Sequence, residues 1–176
     1  MNNLRKEIKS LRDELAKTVA NDLSDKIFNN LLTLDIFNDN QNFFVYKSFR
    51  NEVSTKKLID FLITKNKTVA FPVTNSLDML AGKPNSIDEV KSAFGIDEPK
   101  DYLVLDNIDV CFVPLVVADE HKNRLGFGKG YYDRFLSKHP CLKIGLAYEF
   151  QVVNQLSPNP WDVPLDIIVT ENRIIR

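Results

Sequence analysis

Residues 124–133, Arg-Leu-Gly-Phe-Gly-Lys-Gly-Tyr-Tyr-Asp, gather the side chains best suited to chemistry. Gly126, Gly128 and Gly130 occupy alternate positions, and glycine lets a backbone turn sharply and approach a ligand closely. A helix is expected from about residue 130 to 138. Its first N–H groups and partial positive charge suit a phosphate. Arg124 and Lys129 add full positive charges. Asp133 runs against this, because a carboxylate beside a phosphate repels it, and a divalent cation between them removes the conflict. The segment therefore points to a magnesium–nucleotide site. It is not a Walker A loop, since Gly130 rather than Ser or Thr follows Lys129, and its third glycine comes one residue early for the dinucleotide fingerprint. A tight strand-to-helix connection would use the same glycines, so spacing alone does not separate the two readings.

Other residues could complete such a site. Asp166 opens a late strand and could share a magnesium ion with Asp133, although each also fits as a local cap or turn residue. Phe127 and Tyr131 flank the glycines and could stack on a flat ring. Tyr132 fits core or site equally, while Phe135 reads as core. Glu52 stands between a strand end and a helix start, where it either caps or hydrogen-bonds a polar heterocycle. His121 and His139 read as surface residues. Cys111 reads as a buried thiol, and with Cys141 makes neither a metal spacing nor a disulfide framework.

Hydrophobic spacing supplies the elements that must hold these residues. Leu4, Ile8, Leu11, Leu15 and Val19 predict one amphipathic helix over 3–20, and a second is expected over 24–37. A strand at 43–46, a helix capped by Ser54 or Thr55 and carrying Leu58, Ile59, Leu62 and Ile63, and a strand at 68–71 closed by Pro72 make a parallel βαβ unit. Further on, 76–80 reads as a strand, 87–94 as a short helix and 95–99 as a turn or loop. The run 108–117 is too continuously apolar to face water on one side. Strands at 142–148 and 166–169 follow, separated by a loop at 156–164 that holds three prolines. Neither a repeat nor a linker interrupts residues 1–176. The pattern is a single α/β domain, three-layer α/β/α with a mostly parallel, Rossmann-like sheet.

Composition narrows the function classes. The 176 residues are 44% hydrophobic and 27% charged, with a net charge of −1. That balance offers no basic excess for nucleic acid and no basic tract for a membrane surface. Apolar runs such as 113–118 are too short to span a bilayer, and the N-terminus lacks an apolar signal core. A cytoplasmic location is expected, and nothing in the sequence requires an assembly larger than a monomer.

Several ordered segments together resemble the 5-formyltetrahydrofolate cyclo-ligase (methenyltetrahydrofolate synthetase) family. They are Leu4-Arg5-Lys6-Glu7, Glu52-Val53-Ser54-Thr55, Phe71-Pro72-Val73, Gly95-Ile96-Asp97-Glu98-Pro99 and Val113-Pro114. The core run from Asn123 to Asp133 follows, then Gly145-Leu146-Ala147-Tyr148 with Gln151, Asp162-Val163-Pro164-Leu165-Asp166 and Thr170-Glu171. The resemblance covers nearly the whole chain. It implies an enzyme that uses MgATP to convert 5-formyltetrahydrofolate to 5,10-methenyltetrahydrofolate through a phosphorylated formyl (iminium phosphate) intermediate, releasing ADP and phosphate. It implies that Arg5 and the stretch Arg124, Leu125, Gly126, Phe127, Gly128, Lys129, Gly130, Tyr131 and Tyr132 line ATP. Lys47, Glu52 and the residues from Phe127 to Tyr131 would meet the folate, Asp133 and Asp166 would hold Mg²⁺, and Lys129, Arg124 and Tyr131 would carry the chemistry.

Three positions depart from the family's usual pattern. Met1 stands where many members have lysine, Trp161 where bacterial members often have histidine, and Lys122 replaces a glycine before Asn123. A sugar-phosphate isomerase or CoA-transferase-like enzyme would need the same cradle without ATP hydrolysis. A folate- or nucleotide-binding module without turnover is the non-enzyme reading.

Overall fold

The computed structural model describes residues 2–75 and 78–176. The chain runs α1 (Asn2–Asp13), α2 (Lys17–Leu31), β1 (Asn42–Phe44), α3 (Lys56–Thr64), β2 (Thr68–Thr74), β3 (Met79–Pro84), β4 (Glu89–Lys91), β5 (Asp97–Pro99), β6 (Tyr102–Val104) and β7 (Val110–Val113). It continues through β8 (Val117–Asp119), β9 (Arg124–Leu125), α4 (Tyr131–Lys138), β10 (Leu142–Leu146), β11 (Val152–Val153), β12 (Ile167–Val169) and β13 (Ile174–Ile175). The main sheet has the order β13-β12-β10-β7-β1-β2-β3-β6. Strands β12, β10, β7, β1 and β2 are mutually parallel, and antiparallel strands extend both edges. A small sheet, β11-β8-β9, and the β4–β5 hairpin flank it.

Successive side chains of a strand point to opposite faces. Phe43, Val110, Phe112, Ile144 and Val169 accordingly pack with Ile27 and Leu31 of α2 and with Leu58 and Leu62 of α3. Phe44, Cys111, Val113 and Ile168 pack with Phe135 and Leu136 of α4. Both faces are covered, which is why these strands read as continuous apolar runs. The result is the expected three-layer α/β/α fold.

Several local expectations need correction. The helix over 3–20 is two helices, broken at residues 14–16, so Leu11 is 46% exposed instead of continuing one apolar stripe. The second helix therefore begins earlier than residue 24 and ends at Leu31. Residues 87–94 form no helix; β4 pairs with β5 around Gly95, and Ile87 is exposed. Strand β2 runs through Pro72 to Thr74, because by that point it pairs antiparallel with β3. The run 108–117 is two strands bent at residues 114–116. Thr55 does precede α3, but its hydroxyl donates to the Tyr46 carbonyl at 2.7 Å and does not cap the helix. The start of the expected strand at 76–80 lies outside the described residues, as does Met1.

The order of the strands positions the site. From β1 the chain crosses through α3 to β2 on one side, whereas β7 crosses through α4 to β10 on the other. The direction of winding reverses between β1 and β7. Open parallel sheets bind ligands in the crevice beyond the carboxyl ends of their strands at such a reversal.

The one-sided burial of α3 is directly testable. Leu62→Ala, at a fully buried position, should cost about 2–5 kcal/mol, and Ile63→Ala, at 58% exposure, should stay within about 0.5 kcal/mol. Urea unfolding of both variants measures this; equal losses would contradict the packing.

Candidate active site

A cavity of about 1160 Å³ opens at the reversal point. Tyr46, Lys47, Phe49 and Glu52 reach it from the segment after β1, Pro114 from the end of β7, and Pro72 and Thr74 from β2. The glycine segment closes another wall, and α1 lies across it.

Local structure delivers the glycine segment accurately. Strand β9 folds back on β8 with Ala118 opposite Arg124. The buried Asp119 carboxylate holds this hairpin, accepting from the main-chain N–H of Asn123 at 2.8 Å, its side-chain amide at 3.0 Å, and the Leu156 N–H at 2.8 Å. Lys122 sits in this turn at φ 68, a left-handed conformation that costs a non-glycine residue about 1–2 kcal/mol. Asp119 holds the turn with lysine at this position.

Arg124 follows directly. Its side chain is 3% exposed, and Nη1 donates to Asp133 Oδ1 at 2.9 Å. Its Nε and Nη2 are buried and have no partner among the described residues. Asp133 Oδ1 also accepts from the Val163 N–H at 3.1 Å, so strand, helix start and the proline-rich loop meet on one oxygen. Gly128 and Gly130 have φ of 90 and 69, the backbone region where glycine is at ease. Gly130 precedes α4 without a side-chain cap, leaving the first N–H groups of α4 uncapped by any side chain. Exposed Lys129 also lines the cavity.

Helix α1 contributes more than Arg5. Arg5 Nε donates to the Gly126 carbonyl at 2.7 Å, tying the helix to the cradle. Lys9 Nζ and the Arg12 guanidinium lie 5.9 and 5.7 Å from the centre of the Phe127 ring. Leu4 and Ile8 of the same helix pack on Val116, Val117 and Leu125. Arg12 is 1% exposed, and its Nε and Nη1 have no partner among the described residues. Sequence reasoning followed the leucines and missed Lys9 and Arg12. The signal was present, since cations at 5, 9 and 12 recur at helical spacing.

The opposite wall mixes aromatic and polar groups. Glu52 is buried, and Oε2 accepts from the Phe49 N–H at 2.9 Å. Burial pushes its carboxyl above the ordinary value, while the Phe49 N–H and the Arg12 charge pull it back. Lys47 pairs with Glu89 of β4, and its ammonium lies 4.7 Å from the Phe71 ring centre. Tyr131 donates to the Asn75 carbonyl at 3.0 Å and meets Phe94 edge-to-face at 5.9 Å. Behind it, the Tyr132 hydroxyl is buried without a partner among the described residues. Burial raises that phenol well above its ordinary value, so it stays a neutral donor. His139 is half-buried and stacked on Phe135 at 4.1 Å, so it is not the surface residue expected. Trp161 lies exposed on the cavity rim.

The structure thus brings Arg5, Lys47, Glu52 and all of residues 124–133 to one cavity. Asp166 is not among the residues that line it. Its Oδ2 accepts from the Lys143 N–H and from Lys143 Nζ, both at 2.7 Å. Among the described residues, no cluster of three or more His, Cys, Asp or Glu side chains is arranged to hold a metal alone. No helix of the described residues is long and apolar enough to cross a membrane.

Comparison with known proteins agrees with this geometry. The model of the 5-formyltetrahydrofolate cyclo-ligase family matches residues 1–171. The 5-formyltetrahydrofolate cyclo-ligase of Haemophilus influenzae is 36% identical, over 94% of this chain and 95% of its own length. That of Mycoplasma genitalium is 34% identical over 96% of each chain. The NMR structure of Aquifex aeolicus 5,10-methenyltetrahydrofolate synthetase superposes with a TM-score of 0.89 at 34% identity, covering 99% of this chain and 91% of that one. The Mycoplasma pneumoniae 5,10-methenyltetrahydrofolate synthetase gives 0.79 at 29% identity, over 97% and 98%.

The buried Glu52 carboxyl has a pH signature. Its protonated form is favoured in the fold, so wild-type stability is full below the ordinary Glu value of 4.5 and falls as pH rises through the raised value. Glu52→Gln keeps an acceptor for the Phe49 N–H and removes the titration. The melting temperature of Glu52→Gln minus that of wild type should therefore grow from pH 4.5 upward and then level off. A constant difference across that range would refute the burial argument.

Proposed function

The chain belongs to the 5-formyltetrahydrofolate cyclo-ligase family, and on that premise we propose how its cavity converts 5-formyltetrahydrofolate and ATP to 5,10-methenyltetrahydrofolate, ADP and phosphate. The observation that carries the reading is the glycine segment at the reversal point, with a buried arginine beneath it and an uncapped helix start behind it.

The reaction has two stages. The formyl oxygen on N5 attacks the γ-phosphorus as the bond to the bridging oxygen breaks, and that electron pair leaves with ADP. The N5 lone pair forms a C=N bond, giving an iminium phosphate. N10 then adds to the formyl carbon and loses its proton, and the C–O bond breaks with its pair leaving on phosphate. In such transfers the protein chiefly positions groups and balances charge. Arg5, residues 124–132 and the start of α4 hold ATP. Arg124 and Lys129 donate to the moving phosphoryl group, and Tyr131 stands beside the formyl group. Glu52 and Lys47 meet the pterin end, with the face of Phe127 available for stacking. No side chain has to remove a proton from the formyl oxygen.

Magnesium fits this donor set through Asp133, a carboxylate on the cavity wall whose Oδ2 carries no hydrogen bond among the described residues. Mg²⁺ commonly binds one or two carboxylates together with substrate phosphates, and its charge there offsets that of the phosphates. Asp166 is the proposed second ligand, and it would have to release Lys143 to serve. A cytoplasmic, monomeric enzyme is the simplest setting for two small-molecule substrates and two free thiols.

The assay is conversion of 5-formyltetrahydrofolate by purified protein with and without MgATP, following ADP. Folate-dependent ADP formation is expected, and its absence overturns the reading. Lys129→Ala should lower kcat about 100-fold or more with little change in melting temperature, since the side chain is exposed. Equal loss of both would mark the segment as structural. Asp133→Asn should raise the Mg²⁺ concentration needed for half-maximal rate about tenfold or more. The same shift in Asp166→Asn would make Asp166 a ligand, and an unchanged Mg²⁺ dependence would remove it.

A further inference from the structure

Helix α1 carries a charge that the reading above does not use. Arg12 is 1% exposed, lines the cavity, and presents Nε and Nη1 without a hydrogen-bond partner. No carboxylate forms an ion pair with it among the described residues. Its compensation is the Phe127 ring, 5.7 Å away, and the nearby Glu52 carboxyl, which its charge draws toward ionisation without forming an ion pair. Arginine does not shed its proton in proteins, so it stays cationic there. A buried cation with neither an ion-pair partner nor hydrogen bonds to its inner nitrogens is unfavourable, and such a group persists where a ligand completes it.

We infer that Arg12 is a second phosphoryl-binding arginine of this site, donating from α1 to the oxygens of the γ-phosphoryl group while Arg124 donates from β9. The inference rests on the function proposed above and adds a residue to it. Three observations select a phosphoryl group over other anions. The same helix is bonded to the cradle through Arg5 and the Gly126 carbonyl, so Arg12 is held beside the glycine segment. Its aromatic neighbour, Phe127, belongs to that segment. Arg124 is the other buried arginine on the wall, and its open Nε and Nη2 are the parallel pair of N–H bonds that takes two oxygens of one phosphate. As the bond from phosphorus to the bridging oxygen breaks and the bond to the formyl oxygen forms, Arg12 gives hydrogen bonds only, and no proton leaves it.

Arg12→Met keeps the bulk and removes the charge, and Arg12→Lys keeps the charge without the fork. Steady-state kinetics with both substrates, and melting of the protein with ADP before and after adding inorganic phosphate, test the inference. For Arg12→Met, kcat should fall about 100-fold or more and KM for folate should change less than about threefold. The unliganded melting temperature should hold or rise, because a buried charge without an ion-pair partner is gone. The stabilisation by phosphate should shrink, and Arg12→Lys should recover part of both losses. The inference is overturned by a kcat within about threefold of wild type, by a loss confined to KM for folate, or by lowered melting temperatures in both variants. If wild type forms no folate-dependent ADP, the proposed function fails, and the phosphate-dependent melting shift still decides whether Arg12 binds a phosphoryl group.

Discussion

A buried guanidinium that is only partly bonded governs much of this structure. Arg124 gives one nitrogen to Asp133 and keeps two polar atoms unpartnered inside the protein. Such an arrangement is stable only if the surroundings hold it from several directions, because the group would otherwise swing out to water. Asp133 supplies one tether and is itself held by the Val163 N–H. The β8–β9 hairpin supplies another, locked by the three hydrogen bonds to Asp119. Hairpin, helix start and proline-rich loop are thereby fixed relative to one another, and the glycine segment between them has little freedom.

The sheet decides where this assembly sits. Because winding reverses between β1 and β7, the segment after β1 cannot close over the neighbouring strand, and a crevice remains. Glu52, Lys47 and the glycine segment enter it from connections far apart in sequence. Apolar packing on both faces keeps the parallel strands in register, so the crevice is supported from below by a dry core. Polar and charged groups concentrate above it, where ligands can complete their hydrogen bonds.

Helix α1 shows how one element serves both purposes. Leu4 and Ile8 bind it to the β8 region, while Arg5, Lys9 and Arg12 face the cradle. A helix held only by its charges would be loose, and one held only by leucines would bring no charge. Together they place cations beside the glycine segment. The opposing wall offers a carboxyl kept high by burial and a neutral phenol. The cavity is thus polarised, cationic toward the glycine segment and polar-aromatic toward Glu52, the two characters that the proposed nucleotide and pterin require.

Much of this was written in the sequence. The alternation of glycines, the flanking Arg124, Lys129 and Asp133, and the apolar runs of the parallel strands are local patterns, and local patterns survive in one dimension. The helical period likewise marked α3 and α4. Other features depended on contacts between distant segments. Whether 3–20 is one helix or two involves distant Asn51, whose side-chain amide donates to the carbonyls of Arg12 and Leu15 at the break. Whether 87–94 forms helix or hairpin turns on pairing with 97–99. The burial of Arg12, the open nitrogens of Arg124 and the engagement of Asp166 by Lys143 follow from the arrangement of helix, hairpin and strands around one reversal point. A side chain's type sets what chemistry it can do. Its solvation and its partners, which tertiary structure alone assigns, decide which of those chemistries it is left free to perform.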